Sequence, residues 1–237
     1  MIKRELSWTL EPDRFVLNGI PGLVVFTTTR RLGMPAGPFD PASLRHLVEQ
    51  LGLRPKAVIG MEQVHGDTVR VVTRSQDSVL PACDGIMTNR SCVALAVRSA
   101  DCLPIVAFDP ATGVLGVAHA GWRGVKAGLP VSLLEAMNAS FACSDSVHVA
   151  IGPGIGRCCY EVGLDFEPWF SAYLETRSGQ RFLDLSAAAV SQMEEAGLSE
   201  DRIARAPWCT ACASDHCHSH RRDGRSAGRM VTIAVIL

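Results

Sequence analysis

Cys102 and His119 stand at the outer ends of two apolar runs, Leu103-Pro104-Ile105-Val106-Ala107-Phe108 and Val114-Leu115-Gly116-Val117-Ala118. Between the runs lies Asp109-Pro110-Ala111-Thr112-Gly113, which is turn chemistry: Pro presets φ and Gly takes a conformation other residues avoid. A turn centred between Pro110 and Ala111 gives a hairpin in which Cys102 and His119 are direct cross-strand partners. Opposed residues of an antiparallel pair hold their Cβ atoms about 4.5–5.5 Å apart. That separation suits two ligands of one metal, or a thiolate–imidazole pair working as nucleophile and base. His65, in Gln63-Val64-His65-Gly66, precedes another strand, where loop geometry aims it at the hairpin ends. One Cys and two His offer three ligands to Zn²⁺ and leave a fourth position for water or substrate. Read without chemistry, the same residues are a small buried thiol and two hydrogen-bonded loop histidines. Asp84 and Asp101 are acids placed to orient such ligands, or else to bond turn backbone. Arg123, in Ala120-Gly121-Trp122-Arg123-Gly124, begins a helix where backbone N–H groups and its own guanidinium favour an anion.

A second grouping is Cys209-x2-Cys212, followed by His216, Cys217, His218 and His220, a spacing familiar from structural zinc sites. A chain of this length and apolar content has no evident need of a metal staple. The expectation is therefore one zinc, at the first site, and reduced, metal-free thiols over 209–220. Cys158-Cys159 reads as a structural pair open to oxidation. Gly152-Pro153-Gly154-Ile155-Gly156-Arg157 lacks G-x-G-x-x-G spacing and Pro153 removes a donor, which argues against a dinucleotide cofactor. His46 falls on a helix and His148 in a strand, both as structural or exposed residues.

The elements that must position these groups are mostly short strands, expected over 23–28, 67–72, 93–97, 103–108, 114–119, 147–151 and 230–237. Helices are expected over 43–51, 165–175 and from Asp184 or Ser186 through Ala196, closed by Gly197. Residues 124–139 also read as helical, with Pro130 kinking or restarting the helix. Strands that outnumber helices and follow one another directly indicate an α+β protein with mixed sheets, not a doubly wound α/β domain. The chain has 237 residues, 47% of them hydrophobic and 20% charged, which disfavours disorder. Its net charge of −1 argues against a nucleic-acid partner. Nothing at the start reads as a signal peptide, and no run reaches the roughly 18 apolar residues of a membrane span. Nine cysteines, an odd number, suit reduced thiols in a cytoplasm. With no linker or repeat, residues 1–237 read as a single domain.

Gln63-Val64-His65-Gly66, Asp84-Gly85-Ile86-Met87-Thr88, Ala100-Asp101-Cys102-Leu103-Pro104, Ala118-His119-Ala120-Gly121-Trp122-Arg123-Gly124, Ile151-Gly152-Pro153, Cys159-Tyr160-Glu161-Val162-Gly163 and Arg221-Arg222-Asp223-Gly224 follow in that order. Together they resemble the YfiH/YlmD-type proteins, once called the multicopper polyphenol oxidoreductase or laccase-domain family. The resemblance implies an α/β/β/α sandwich-like, cysteine-hydrolase-like fold and zinc held by His65, Cys102 and His119. It implies phosphorolysis of adenosine, inosine and methylthioadenosine, adenosine deamination, and for some members removal of wrongly built peptidoglycan precursors. Catalysis would then rest on Cys102, His65 and His119, with Arg123, Arg221 and Gln63 binding nucleoside and phosphate. Two departures stand out: the family's Asn-Leu-Gly element is missing from residues 30–39, and an aromatic stretch before Arg221 reads Cys217-His218-Ser219-His220. Two other readings compete, a metal-free Cys102/His119 hydrolase acting on an amide or a cell-wall precursor, and a non-enzymatic zinc-binding module.

Overall fold

The computed structural model describes residues 6–35, 37, 39–73, 75–143 and 146–237; the start of the chain, read above for a leader, lies partly outside them. The described residues form two large sheets and a small one. The first sheet runs β1 (Ser7–Leu10), β2 (Arg14–Asn18), β3 (Leu23–Thr28), β16 (Met230–Ile236), β8 (Val93–Ser99), β4 (Ala57–Met61) and β6 (Ser78–Leu80). The second runs β15 (Ile203–Arg205), β11 (His148–Ile151), β9 (Leu103–Asp109), β10 (Val114–Ala120), β7 (Gly85–Thr88) and β5 (Val69–Val71). Both mix parallel and antiparallel pairs, as in β4 beside β8 and β16 beside β8.

Side-chain alternation sorts the core into layers. Val93, Leu95 and Val97 of β8 meet Leu115 and Val117 of β10 in the cluster between the sheets. The opposite face of the first sheet, with Ala94, Ala96 and Ile233, carries α1 (Pro41–Gln50). Asp40 caps α1 by accepting from the Ser43 N–H, and Leu44, Leu47 and Val48 form the buried stripe. The outer face of the second sheet, with Ile105, Val114 and Ala118, is covered by α2 (Trp122–Ala127), α3 (Leu129–Phe141) and α5 (Leu185–Glu195). This is the α/β/β/α sandwich that the sequence resembles. Pro130 sits in the first turn of α3, so it restarts the helix as expected, and Asp184 caps α5.

Three expectations need correction. The hairpin pairs Asp109 with Val114 and His119 with Pro104, a register displaced by two residues from the direct Cys102–His119 pairing. Asp109 causes the shift: its carboxylate accepts from Ala111 N–H and the Thr112 hydroxyl, and its carbonyl from Gly113 N–H at φ 66°, closing a four-residue turn. Because the slip is even, Cys102 keeps its face and becomes His119's diagonal neighbour. The helix expected over 165–175 is instead a chain of 3-10 turns around α4 (Glu167–Phe170), leading into β13 (Leu174–Arg177). β13 pairs with β14 (Gln180–Leu183), which also pairs with β12 (Glu161–Val162), making the small sheet. The strand expected over 67–72 is confined to β5. The last helix, α6 (His220–Asp223), is a single turn capped by Ser219.

Candidate active site

Along β10 the residues facing the other sheet are Leu115, Val117 and then His119, so the imidazole lies where the apolar layer between the sheets runs out. Cys102, one residue before β9, lies on the same face. Gly121 comes opposite it, and a Cβ there would stand 2.8 Å from Cys102 Sγ and 3.2 Å from His65 Cδ2. Only glycine leaves room for the thiol. His65 arrives from the first sheet, four residues past β4, at φ 62°. Asp84, fully buried before β7, accepts from the backbone N–H groups of Val64 (3.0 Å), His65 (3.0 Å) and Gly66 (2.7 Å). Its Oδ1 also meets His119 Nδ1 at 2.9 Å. One carboxylate thus holds the strained loop of one imidazole and orients the other, leaving His119 Nε2 as the atom available to the thiol.

One donor atom each from His65, Cys102 and His119 lies within 4.8 Å of the others. Burial pushes the Cys102 thiol up, but His119 and His65 draw it well below its ordinary value. Burial pushes His119 down, but Cys102 and Asp84 raise it. The donor set, one sulfur and two imidazoles with room for a fourth ligand, fits zinc.

The three line a cavity of about 490 Å³ together with Gln63, Ser99, Asp101, Trp122, Tyr160, His220 and four arginines, Arg98, Arg123, Arg221 and Arg229. Arg123 stacks on Trp122 at 4.4 Å, but α2 is only six residues long, so this position contributes a guanidinium and not a helix field. Arg221 donates from Nη1 to the Glu161 carbonyl at 2.8 Å and lies over the Tyr160 ring. Gln63 clasps the backbone of residue 98, its amide donating to the Arg98 carbonyl at 2.8 Å and accepting from the Arg98 N–H at 3.0 Å. It therefore positions Arg98 while lining the cavity. Asp101, at φ 92°, is held by Thr210 Oγ1 and the Arg221 N–H, each at 2.6 Å, so it braces the Arg221 segment and not a metal ligand.

Sequence reading missed Arg98, Ser99, Tyr160 and Arg229. The available signal was a polar pair, Arg98-Ser99, ending an otherwise apolar strand. Arg98 Nε and Ser99 Oγ are buried with no hydrogen-bond partner among the described residues. Burial, and then repulsion from Arg229, lowers the Arg98 guanidinium. His220 reaches the cavity. His218 does not line it; it packs against Gly33 and Gly228, where an added Cβ would meet its ring. Cys217 is fully buried in the core between the sheets.

A family model described as multi-copper polyphenol oxidoreductase laccase matches residues 41–237. Purine nucleoside phosphorylase YlmD of Geobacillus stearothermophilus is 35% identical over 248 aligned residues, covering 89% of each chain. Purine nucleoside phosphorylase LACC1 of Homo sapiens is 30% identical over 200 residues, covering 80% of this chain and 46% of that protein. The crystal structure of YlmD from G. stearothermophilus superposes with a TM-score of 0.84 at 31% identity, over 97% of this chain and 98% of that one. That of the Bacillus licheniformis hypothetical protein YfiH gives 0.86 at 24% identity, over 97% and 99%.

Proposed function

The chain belongs to the multi-copper polyphenol oxidoreductase laccase family, and from that premise we propose that it cleaves purine nucleosides with inorganic phosphate and also deaminates adenosine. Adenosine, inosine and methylthioadenosine are the proposed nucleosides, in keeping with the name purine nucleoside phosphorylase carried by its relatives. The observation that carries the reading is that four arginines line one cavity, two of them, Arg98 and Arg229, close enough to repel each other. Crowded cations of this kind are stabilised by a dianion between them. Arg98 and Ser99 line the cavity side by side at the end of β8, a guanidinium and a hydroxyl next to that dianion. Tyr160 and Trp122 add aromatic walls to the cavity, each already carrying an arginine on its ring.

In phosphorolysis a phosphate oxygen bonds to C1′ as the C1′–N9 bond breaks, with the electron pair leaving on the base. The arginines hold the phosphate in line, and the departing base takes up a proton from solvent. In deamination, water oxygen replaces the C6 amine and ammonia departs. His65, Cys102 and His119 would hold a zinc ion, which supplies Lewis acidity when bound. A multicopper oxidase needs a larger histidine set than the seven in this chain, so copper oxidation is not proposed. The enzyme is proposed to act as a single domain in the cytoplasm; among the described residues no helix is long and apolar enough to cross a membrane.

The test is base release from each nucleoside by zinc-replete protein, with and without phosphate, with ribose 1-phosphate measured alongside. Arg98→Ala should raise the phosphate KM about tenfold or more, as loss of a charged hydrogen bond implies. No phosphate-dependent release from any of the three nucleosides overturns the proposal. A second reading is favoured by the lowered thiol beside an Asp84-oriented imidazole: hydrolysis of an amide or a peptidoglycan precursor by Cys102 without metal. Turnover that survives chelation and is lost on alkylation would select it.

A further inference from the structure

Cys158 and Cys159 lie in the turn after β11, and Cys209 and Cys212 in the segment between β15 and α6. Cys159 and Cys212 are 53 residues apart in the chain, yet the fold brings all four thiols within 4.8 Å of one another. Backbone pairing sets this up. Gly154 forms a parallel bridge with Cys209, and the Thr210 N–H donates to the Gly154 carbonyl at 2.9 Å. The 156–160 turn then closes through the Cys159 and Tyr160 N–H groups, both donating to the Gly156 carbonyl at 3.0 Å.

We propose that Cys158, Cys159, Cys209 and Cys212 hold a structural zinc ion as a tetrathiolate, a second metal site that joins two walls of the catalytic cavity. Cys212 Sγ stands 3.5 Å from Cys158 Sγ and 3.3 Å from Cys159 Sγ. Disulfide sulfurs stand about 2.0 Å apart, so these contacts are not bonds. Four sulfurs about 2.3 Å from one tetrahedral zinc stand about 3.8 Å from each other, close to the spacing found. Cys212 approaches two sulfurs at once, which a shared ion explains and a single disulfide does not. Four thiolates on the separate irons of a cluster would stand further apart. The Gly156 N–H donates to Cys209 Sγ at 3.2 Å, the kind of outer hydrogen bond that supports a ligating thiolate.

None of the four lines the cavity, so this site is separate from that of His65, Cys102 and His119. Its place explains what it does. Tyr160 and Glu161 follow Cys159 directly, and Arg221 bonds the Glu161 carbonyl. The Cys209–Cys212 segment is tied to α6 through Arg222, which donates to the Thr210 and Ala211 carbonyls at 3.0 and 3.1 Å. One ion bound here fastens the Tyr160 wall to the Arg221 wall. From spacing alone only Cys209-x2-Cys212 was visible, and bare thiols were expected; the fold brings up the other pair.

The experiment is a zinc count on full-length protein purified under reducing conditions, read with thermal melts and cobalt substitution. The wild type should carry about two zinc ions per chain, the Cys102→Ser, His119→Ala variant about one, and Cys158→Ser, Cys212→Ser about one with a lowered Tm. If the thiol variant does not fold, cobalt decides. Cobalt in the Cys102→Ser, His119→Ala background should give the intense thiolate charge-transfer and visible bands of a tetrahedral sulfur site. One zinc per wild-type chain with four thiols titrating freely, iron in place of zinc, or two disulfides under reducing conditions would each overturn the proposal. None of these readouts depends on nucleoside turnover, so failure here is distinct from failure of the proposed activity.

Discussion

Gly121 decides whether Cys102 can reach its partners, because an alanine methyl would occupy the space of the sulfur. On the proposed zinc-enzyme reading, Gly121→Ala is expected to weaken zinc binding at the cavity site about 10- to 100-fold, the usual consequence of disturbing a ligand's support, and to lower turnover in parallel. Competition with a chelator of known affinity measures the first effect, and unchanged affinity would show that the thiol has another place to go. The three candidate ligands were legible as residue types because Cys and His in a short turn-bounded span are rare. Their exact meeting was not. Asp109 builds a longer turn than a Pro-centred one, and only the even parity of the slip preserved the face. Asp84 was legible as an acid near the site, but its hold on three successive N–H groups depends on a loop conformation that no local pattern encodes. Arg98 and Arg229 were missed because what makes them conspicuous is their closeness to each other across neighbouring strands.

At the scale of elements, α1 is tied to the first sheet by more than its apolar stripe. Arg45 donates from Nε to Asp77 Oδ2 at 2.8 Å, and the Val58 N–H of β4 donates to Asp77 Oδ1 at 2.9 Å. The Arg45 hydrogen bond, against a smaller burial penalty, holds the Asp77 carboxyl below its usual value. A carboxyl depressed in the folded state stabilises above its unfolded pKa, about 3.8, and loses that contribution as pH falls through the folded value. Asp77→Asn should therefore cost about 1–2 kcal/mol at neutral pH, with the gap to wild type closing below about pH 4. Denaturant melts at pH 7 and pH 3 check it, and an equal gap at both would assign the loss to shape and not charge. The helix itself was readable from its stripe at Leu44, Leu47 and Val48. Residues 165–175 carry a comparable stripe at Phe166, Phe170 and Tyr173 but fold as 3-10 turns and a strand. The deciding feature lies downstream: Ser178 and Gly179, at φ 50° and 80°, form a two-residue hairpin loop that commits Leu174–Arg177 to pairing with β14.

On the scale of the molecule, the cavity exists because two sheets from different parts of the chain end at the same level. His119, Cys102 and Ser99 terminate rows that further inside are Leu115, Val117, Val106 and Val97, so the apolar layer between the sheets is also the floor of the site. Mixed sheets were readable from the succession of short strands, and the sandwich only from the family resemblance. The pairing order was not, since β16 comes from the far end of the chain to lie between β3 and β8. That insertion puts β1, β2, β3 and β16 in one layer, and on the proposed single-domain reading both sheets unfold together. Leu115 is fully buried in the shared layer. Leu115→Ala should cost about 2–5 kcal/mol through lost contact and residual cavity, with the unfolding of both sheets shifted together. Calorimetry on zinc-saturated protein tests this: wild type and variant should each melt in one transition whose van't Hoff and calorimetric enthalpies agree. If the variant instead shows two transitions, with only one moved, the sheets are separate cooperative units, and the cavity between them is an interface that can open.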